Sequence, residues 1–450
     1  MPHAARTLLS LIKSPNARAF RRLYMRRRLA STGLYETSWQ ELTKYVQKWG
    51  KIKRAVDFVR QSKFTFNEVL LQMTNDRGYF NPEDNDASFW NGYANQQRTL
   101  VRIDTGLTHQ TQSSAGVWTN TDYPTSSTHY IGVLQGDVLV SDSNVVTLPI
   151  KPLNQVFRDF PCRNITGWTT TGMTATQFFT MIWNQTDGAG VAIFRPFFQD
   201  TLTYWQVTTT TQNYTQLNTF GADNVHDKSV WDVMERLAEA EDFILTIKQD
   251  GSLLFKNRDP NTTASQFNFF GRQFFDYTYG HTIKKINSYG KRWSNFYSRV
   301  EVKWFDSASI TSNRVTQTSL LINGTNTAWN LGTRTYKTEN FWITTSTVAD
   351  TIANNIYQNV NSMKDEIEFT TSHVPGMELL DRVAISYDSG PEAVQSRWDT
   401  SDWADNTNTT DLIWDPSASD AIYMDAKNFK LLQIEIDLDK LECKFSGVGI

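Results

Sequence analysis

Apolar and polar residues alternate along several short segments of the chain, which is the pattern of strands with one buried face. The first clear case runs through Val69, Leu71 and Met73 and ends at a turn, Asn75–Gly78. Similar segments, separated by turn residues, follow at Leu100–Gly106, His129–Gln135, Val138–Val140, Val145–Ile150 and Val300–Trp304. Short strands at this spacing predict antiparallel barrels or sandwiches.

A helical period appears at two places. Val230, Val233, Met234 and Leu237 share one face of a helix that is expected to continue to Asp242. A capping box, with Ser229 as the cap and Asp232 in place of the usual Glu or Gln, predicts the start of that helix. The strands Phe243–Ile247 and Leu253–Phe255, joined by a tight turn at Gln249–Gly251, complete a predicted helix–hairpin.

The second predicted helix covers Val348–Met363, because apolar residues recur there at every fourth position behind the candidate caps Thr345 and Ser346. The middle of the chain, Thr169–Phe220, is rich in Thr, Gln, Asn and aromatic residues and shows no sustained helical period. We interpret it as loops and short strands. Late strands are predicted at Asp381–Tyr387 and Phe429–Leu438.

These elements divide the chain into four predicted units. The units are a basic amino-terminal arm (1–30), a first β-barrel domain (31–155), a Thr- and aromatic-rich middle domain (156–280) with the helix–hairpin at 229–258, and a second β-barrel domain (281–450) with the helix at 348–363 and a Trp/Asp-rich loop at 396–425. The fold class is therefore mainly β, of the α+β kind: tandem small antiparallel β-barrels, a few short helices and a helix–hairpin insertion.

Charge is distributed unevenly along the chain. The arm has eight basic residues and no acid, which leaves 36 basic and 47 acidic residues for the remainder. An arm of this kind suits an acidic protein surface or nucleic acid, whereas the acidic body does not. If Ala17–Leu29 is helical, five arginines lie on two neighbouring turns, and we predict that they bind a partner: Arg21, Arg22, Arg26, Arg27 and Arg28. Deleting 1–30 is then expected to leave the folded body intact. A transit peptide and a solvated tail are the alternatives.

Catalytic and metal-binding signatures are missing from the sequence. Neither a nucleophile elbow nor a phosphate-binding loop, a zinc-binding HExxH or a CxxC pair occurs, and the only cysteines are Cys162 and Cys443. We therefore expect no enzyme activity and no cofactor. The oxygen-rich loop Asp76–Asp86 leaves calcium open, although it lacks the EF-hand spacing. The chain has no apolar run of 18 residues, so we expect no membrane-spanning helix.

Tryptophans beside aspartates form the most suggestive cluster, with Trp398, Trp403 and Trp414 in the loop 396–425. Aromatic faces next to carboxylates are typical of sugar-binding clefts, and a pair of carboxylates could serve a glycosidase. Loop tryptophans also bury against partner subunits. We predict partner binding for these three residues and keep a carbohydrate-active or receptor-binding role as the alternative.

Several segments taken together resemble the tail hub proteins of tailed bacteriophages, a tandem β-barrel family found at the tail tip or baseplate. The order of the segments carries this resemblance: Leu100–Gly106, Gly132–Leu153, the helix–hairpin Ser229–Asp259, Pro375–Tyr387 and the terminal run from Phe429 to Val448.

The resemblance implies two small β-barrels per subunit and a homotrimer whose six barrels continue the tail tube around a lumen for DNA. The implied partners are other tail proteins, namely the tail tube or distal tail ring, the spike or fibres and the tape measure, with passing contact with DNA. It also implies a structural role without catalytic residues, in the tail of a virion that assembles in the host cytoplasm.

Overall fold

The structure is a computed structural model. It describes residues 17–29, 31–60, 63–81, 88–91, 93, 98–112, 116, 118–123, 128–141, 144–218, 225–257, 267–272, 280–291, 293–306, 309–317, 321–322, 325–326, 334–340, 342–343, 345–374, 376–388 and 422–450. Among these residues no helix has the length and apolar character needed to cross a membrane.

The first eleven strands all come from the first third of the chain. They are β1 (Ala17–Arg26), β2 (Gln40–Glu41), β3 (Val46–Lys48), β4 (Lys51–Val56), β5 (Phe64–Phe66), β6 (Val69–Thr74), β7 (Leu100–Gln112), β8 (Trp118–Tyr123), β9 (Thr128–Leu134), β10 (Leu139–Val140) and β11 (Val145–Pro152). Nine of them form one antiparallel sheet with the order β2-β1-β7-β9-β11-β6-β3, in which β8 also pairs with β7 and β10 with β11. Only Leu42–Tyr45 separates the end strands β2 and β3, so the chain itself closes this first barrel.

The middle of the chain contains three helices and five strands. They are α1 (Gln155–Arg158), β12 (Met173–Thr174), α2 (Ala175–Trp183), β13 (Trp205–Val207), β14 (Asn213–Tyr214), α3 (Val230–Glu241), β15 (Phe243–Ile247) and β16 (Leu253–Asn257). The predicted helix–hairpin is present, with Ser229 accepting a hydrogen bond from the backbone N–H of Asp232. The prediction of loops and short strands is wrong over Ala175–Trp183, where Thr174 and Gln177 form a complete capping box.

The described residues of the last third contain eleven strands and one long helix. They are β17 (Phe267–Arg272), β18 (Gly280–Lys291), β19 (Arg299–Asp306), β20 (Ser309–Gln317), β21 (Leu321–Ile322), β22 (Thr325–Asn326), β23 (Thr335–Glu339), α4 (Ser346–Val360), β24 (Asp365–Ser372), β25 (Arg382–Asp388), β26 (Tyr423–Asp437) and β27 (Glu442–Gly449). Single 3-10 turns lie at Thr43–Tyr45, Asp76–Gly78, Cys162–Asn164, Arg195–Phe198, Leu202–Tyr204, Thr215–Leu217 and Trp293–Asn295. The helix predicted at 348–363 is α4, capped by Thr345.

The second barrel is closed by strand pairing alone. Its ring is β25-β17-β18-β24-β27-β26, and β26 pairs back onto β25. Most pairs are antiparallel as predicted, but β17 runs parallel to both of its neighbours. The mainly β fold with barrel-like sheets is thus confirmed.

Two pairings cross the predicted domain boundaries. β1, which lies in the predicted arm, pairs along its whole length with β7 of the first barrel. β4 pairs with β26 and, together with β5, extends the sheet of the second barrel. The domain boundaries at 30, 155 and 280 stay predictions. The strands β1 and β4 pair with strands from other predicted domains.

Two large apolar clusters form the core. One joins the interiors of both barrels and includes Leu23, Ile103, Phe269 and Ile434. The other lies in the middle unit and extends to β19 and α4, with α3 at its centre. The predicted buried face of the helix–hairpin is confirmed, because Val233, Met234, Leu237, Leu245 and Phe255 are all in this second cluster and Phe243 packs against it.

Candidate partner-binding site

The arginine-rich segment predicted to bind a partner is a strand in the first barrel. The condition of a helix over Ala17–Leu29 is not met, because residues 17–26 pair in register with β7 from His109 to Leu100. Leu23 and Met25 are completely buried in the barrel interior. Arg22, Tyr24 and Arg26 alternate with these two residues and therefore face outward, as the two-residue period of a half-buried strand requires. A segment with alternating basic and apolar residues forms such a half-buried strand only when a neighbouring strand is available for pairing.

Arg21 lies on the same side of β1 as Leu23 but beyond it, at the end of the barrel. Its guanidinium donates hydrogen bonds to the backbone carbonyls of Leu438 and Asp439, the second at 3.0 Å, and stands 5.3 Å from the ring centre of Trp49. Leu438 and Asp439 follow β26 of the second barrel. Arg21 thus joins the two barrels within one chain.

The same junction is fixed by Asp439. Its carboxylate accepts hydrogen bonds from the backbone N–H groups of Trp49 (3.0 Å) and Gly50 (3.3 Å), where the chain passes from β3 of the first barrel to β4 of the second. Gly50 has a φ of +73°, and a Cβ at this position would lie 2.9 Å from the carbonyl oxygen of Leu70. A side chain is therefore excluded from this passage.

Arg27 forms a charge-paired cluster inside the chain. Its guanidinium donates to both carboxylate oxygens of Glu36, at 2.6 and 3.0 Å, and to the carbonyl of Phe89. The rings of Phe89 and Tyr93 lie 4.2 and 3.7 Å from the guanidinium carbon. Burial alone would raise the pKa of Glu36, but hydrogen bonds from Arg27 and Tyr93 outweigh it and lower the pKa below its ordinary value.

The remaining predicted arginines differ in their contacts. Arg26 donates to the backbone carbonyl of Glu36, and Arg28 donates to the carbonyl of Gly33 at 2.5 Å. Arg22 faces outward and lies 4.8 Å from the ring of Phe20. Arg21, Arg26, Arg27 and Arg28 thus bond to backbone carbonyls of this same chain, two of them across long stretches of sequence. Their binding to a partner stays a prediction.

The three tryptophans predicted for partner binding, Trp398, Trp403 and Trp414, lie outside the described residues, and so do residues 82–86 of the oxygen-rich loop from Asp76 to Asp86. Within the described part of the chain, no group of three His, Cys, Asp or Glu side chains is placed to hold a metal ion. Both cysteines are buried, and burial raises the pKa of each thiol to about 12. Such thiols are protonated and unreactive at neutral pH.

A second junction was missed by the sequence analysis. The side chain of Arg54, on β4, is almost fully buried and donates to Glu378 at 2.8 Å. The backbone N–H of Gln249, at the tip of the hairpin, donates to the other oxygen of Glu378 at 3.0 Å. Gly251 in the same tip has a φ of +82° and lies against Ile131 of the first barrel. The hairpin therefore contacts both barrels, and no local pattern signals this meeting of residues from three distant segments.

Comparison with known proteins gives structural likeness only. No protein-family model matches the chain, and no curated protein matches it in sequence. The fold is similar to the 43 kDa tail protein of prophage MuSo2 from Shewanella oneidensis (TM-score 0.48, 12% identity, 96% of this chain and 98% of that one). It is also similar to a tail protein from Neisseria meningitidis MC58 (0.48, 9%, 95% and 96%) and to the prophage tail protein gp18 from Listeria monocytogenes EGD-e (0.47, 9%, 95% and 94%). Each of these three similar structures is of a tail protein.

Proposed function

We propose that this protein is a structural component of a bacteriophage tail, a hub at the tail tip or baseplate. The observation that carries the proposal is the joining of two closed β-barrels into one body. The order of segments in the sequence resembles tail hubs, and that resemblance implies two barrels per subunit. The described residues contain two such barrels, one closed by the chain at Leu42–Tyr45 and one by the β25–β26 pairing.

A hub connects one neighbouring protein to the next, so its two barrels need a fixed orientation relative to each other. The junctions described above suit that task. The first bridges the two barrels directly, and the second joins the second barrel to the hairpin tip, which lies against the first barrel. Arg21 and Asp439 bridge them at one place, and Arg54 with Glu378 brings in the hairpin tip at another. Backbone carbonyls and N–H groups are fixed in direction, so these hydrogen bonds define an orientation that apolar packing alone would not.

The assembled form that we propose is a homotrimer. Three subunits would present six barrels around a lumen for DNA, and would join the tail tube or distal ring to the spike or fibres and the tape measure. Virion assembly would take place in the host cytoplasm. In this role the protein needs no catalytic residue and no cofactor.

The test is the oligomeric state of the purified full chain. Light scattering over a range of concentrations should give the mass of a trimer at the high end, and negative-stain images should show a threefold ring. Mixing with the tail-tube protein of the same virus should give co-migration in gel filtration. A chain that stays monomeric at every concentration and does not bind neighbouring tail proteins contradicts the proposal.

A further inference from the structure

A cleft of about 250 Å³ lies between the first barrel and the middle unit, apart from the junctions described above. Its barrel side is the turn that follows β1 together with Arg98, two residues before β7. Its other side is the segment around the 3-10 turn Arg195–Phe198. The residues that matter for its chemistry are Arg28, Tyr35, Arg98, Phe160, Asp187 and Phe197.

Two arginines, Arg28 and Arg98, line this cleft. The guanidinium of Arg28 is held by its hydrogen bond to the Gly33 carbonyl at 2.5 Å. Arg28 pairs with Tyr35 across the turn and lies against Gly33, whose φ of +69° permits the turn and whose Cβ, if present, would be 3.1 Å from the Arg28 side chain. Arg98 has a φ of +65°, which is unusual for a long side chain, and its carbonyl accepts a hydrogen bond from the Tyr35 hydroxyl at 2.6 Å.

Neither arginine forms an ion pair with any residue in the described part of the chain. The charges of Arg28 and Arg98 both act on the Tyr35 hydroxyl, because each of them opposes the rise that burial causes in the pKa of Tyr35. Among the described residues that line the cleft, Asp187 is the one acidic side chain, and its Oδ1 accepts hydrogen bonds from the N–H groups of Ala189 and Val191 at 2.9 Å each. The lining thus carries a net positive charge.

The walls between these charges are aromatic and aliphatic. Tyr35 meets Phe197 edge-on with ring centres 5.7 Å apart, and Phe160 meets Phe194 in the same way at 5.2 Å. Ile193 completes this apolar side. A ligand that fits must therefore bring an anion for the arginines and an apolar group for the walls.

We propose that this cleft binds a peptide segment of a neighbouring protein in which a carboxylate stands beside an apolar side chain. Two guanidinium groups recognise a carboxylate through charge-assisted hydrogen bonds. The volume is below the roughly 300–1,000 Å³ of pockets that enclose small molecules, and it suits one or two side chains of a chain that continues outside. A nucleic-acid backbone would leave the aromatic walls without contacts. This inference does not depend on the proposed tail function.

The direct test uses the capped peptide acetyl-Phe-Glu-Phe-amide as the probe and calorimetry or ligand-observed NMR as the measurement. The Gln peptide acetyl-Phe-Gln-Phe-amide is its uncharged match. We expect the Glu peptide to bind the unchanged full chain at least about tenfold more tightly than the Gln peptide, since hydrogen bonds to charged groups are the stronger ones. Equal binding of both peptides, or no binding up to the solubility limit, overturns the proposal.

The double variant Arg28→Gln/Arg98→Gln locates the site. It should lose the preference for the Glu peptide while keeping the thermal unfolding midpoint of the unchanged chain within a few degrees. The double variant Arg163→Gln/Arg236→Gln is the matched control, because it removes two exposed arginines elsewhere and changes the net charge equally. A preference that survives in the first pair, or disappears in the second, overturns the assignment. Sodium benzoate that binds as tightly as the peptide overturns the peptide as the ligand.

Discussion

The helix–hairpin and the first strand are both central to the described fold, but they are stabilised by different forces. The helix–hairpin buries apolar side chains from α3, β15 and β16 in one cluster. The strand β1 also buries Leu23 and Met25, but Arg21 within it and Arg27 directly after it form polar contacts with groups from other segments. Apolar burial has no direction and depends on volume, whereas these polar contacts depend on geometry and charge. The two regions should therefore respond differently to substitution and to pH.

Deletion of the predicted arm is expected to have the largest effect. Removing residues 1–30 takes away β1, which lies between β2 and β7 in the first barrel, and exposes the edges of both. We expect this variant to misfold or aggregate, contrary to the expectation from the sequence alone. Removing only 1–16 spares the strand and should leave the thermal unfolding midpoint almost unchanged. A soluble, cooperatively folded 1–30 deletion in circular dichroism would show that β1 is dispensable.

Leu237→Ala tests the apolar region. Leu237 is completely buried in the α3 cluster, so the free energy of unfolding should fall by about 2–5 kcal/mol. Leu237→Met keeps most of the volume and should cost less than about 1.5 kcal/mol. Denaturant unfolding of both variants gives the comparison. A loss below about 0.5 kcal/mol in the alanine variant would place this side of α3 at the surface.

Arg27→Met tests the charged region. It leaves the poorly exposed carboxylate of Glu36 without its bidentate partner, and we expect a loss of about 2–3 kcal/mol at neutral pH. The double variant Arg27→Met/Glu36→Gln removes both charges and should recover part of that loss. Because the pKa of Glu36 is lowered in the folded state, the stabilisation is present above its ordinary pKa of 4.5 and is lost as the pH falls through the folded value. A difference from the unchanged chain that persists in strong acid would rule out the ion pair as its cause.

Asp381→Asn should have the smallest effect near pH 4, where the folded carboxyl is protonated, and should change the pH dependence above that pH. Burial raises the pKa of Asp381 to about 8, against the hydrogen bond from the Glu378 backbone. The folded state then keeps a proton that the unfolded chain releases above its ordinary pKa of 3.8, so this group lowers stability as the pH rises from about 4 to 8. The variant should make that decline shallower. Parallel stability curves for the two proteins over this range would contradict it.

Local signals were sufficient where a segment supplies its own partners. In the helix–hairpin, the cap at Ser229 and the turn at Gln249–Gly251 are a few residues from the groups they organise, so the sequence predicted the element and its buried face. The capping box Thr174–Gln177 is the same kind of local signal for the start of α2. The sequence analysis missed this helix because the surrounding segment has no sustained helical period of apolar residues. The helix α4, with its cap at Thr345, was predicted to within three residues at each end for the same reason, whereas β26 begins six residues before its predicted start.

The candidate binding residues could be predicted only as residue types. The arginines of β1 suit an amphipathic helix or an alternating strand equally well when the chain is considered alone. The pairing with β7, about 80 residues away, selects the strand. The contacts of Arg21 with Leu438 and Asp439 then cross more than 400 residues. No pattern within β1 can specify those partners.

The sequence by itself thus determined the mainly β composition, the helix–hairpin and the helix before the last strands, because short-range hydrogen bonding and apolar periodicity set these elements. Only the tertiary structure decided which strands close each barrel, that β4 and β5 extend the second barrel, and that Arg28 and Arg98 face one cleft. Those outcomes depend on contacts between distant segments. Each such contact stabilises the fold only when both of its residues are in their buried positions at the same time. The order of residues along the chain does not specify those positions.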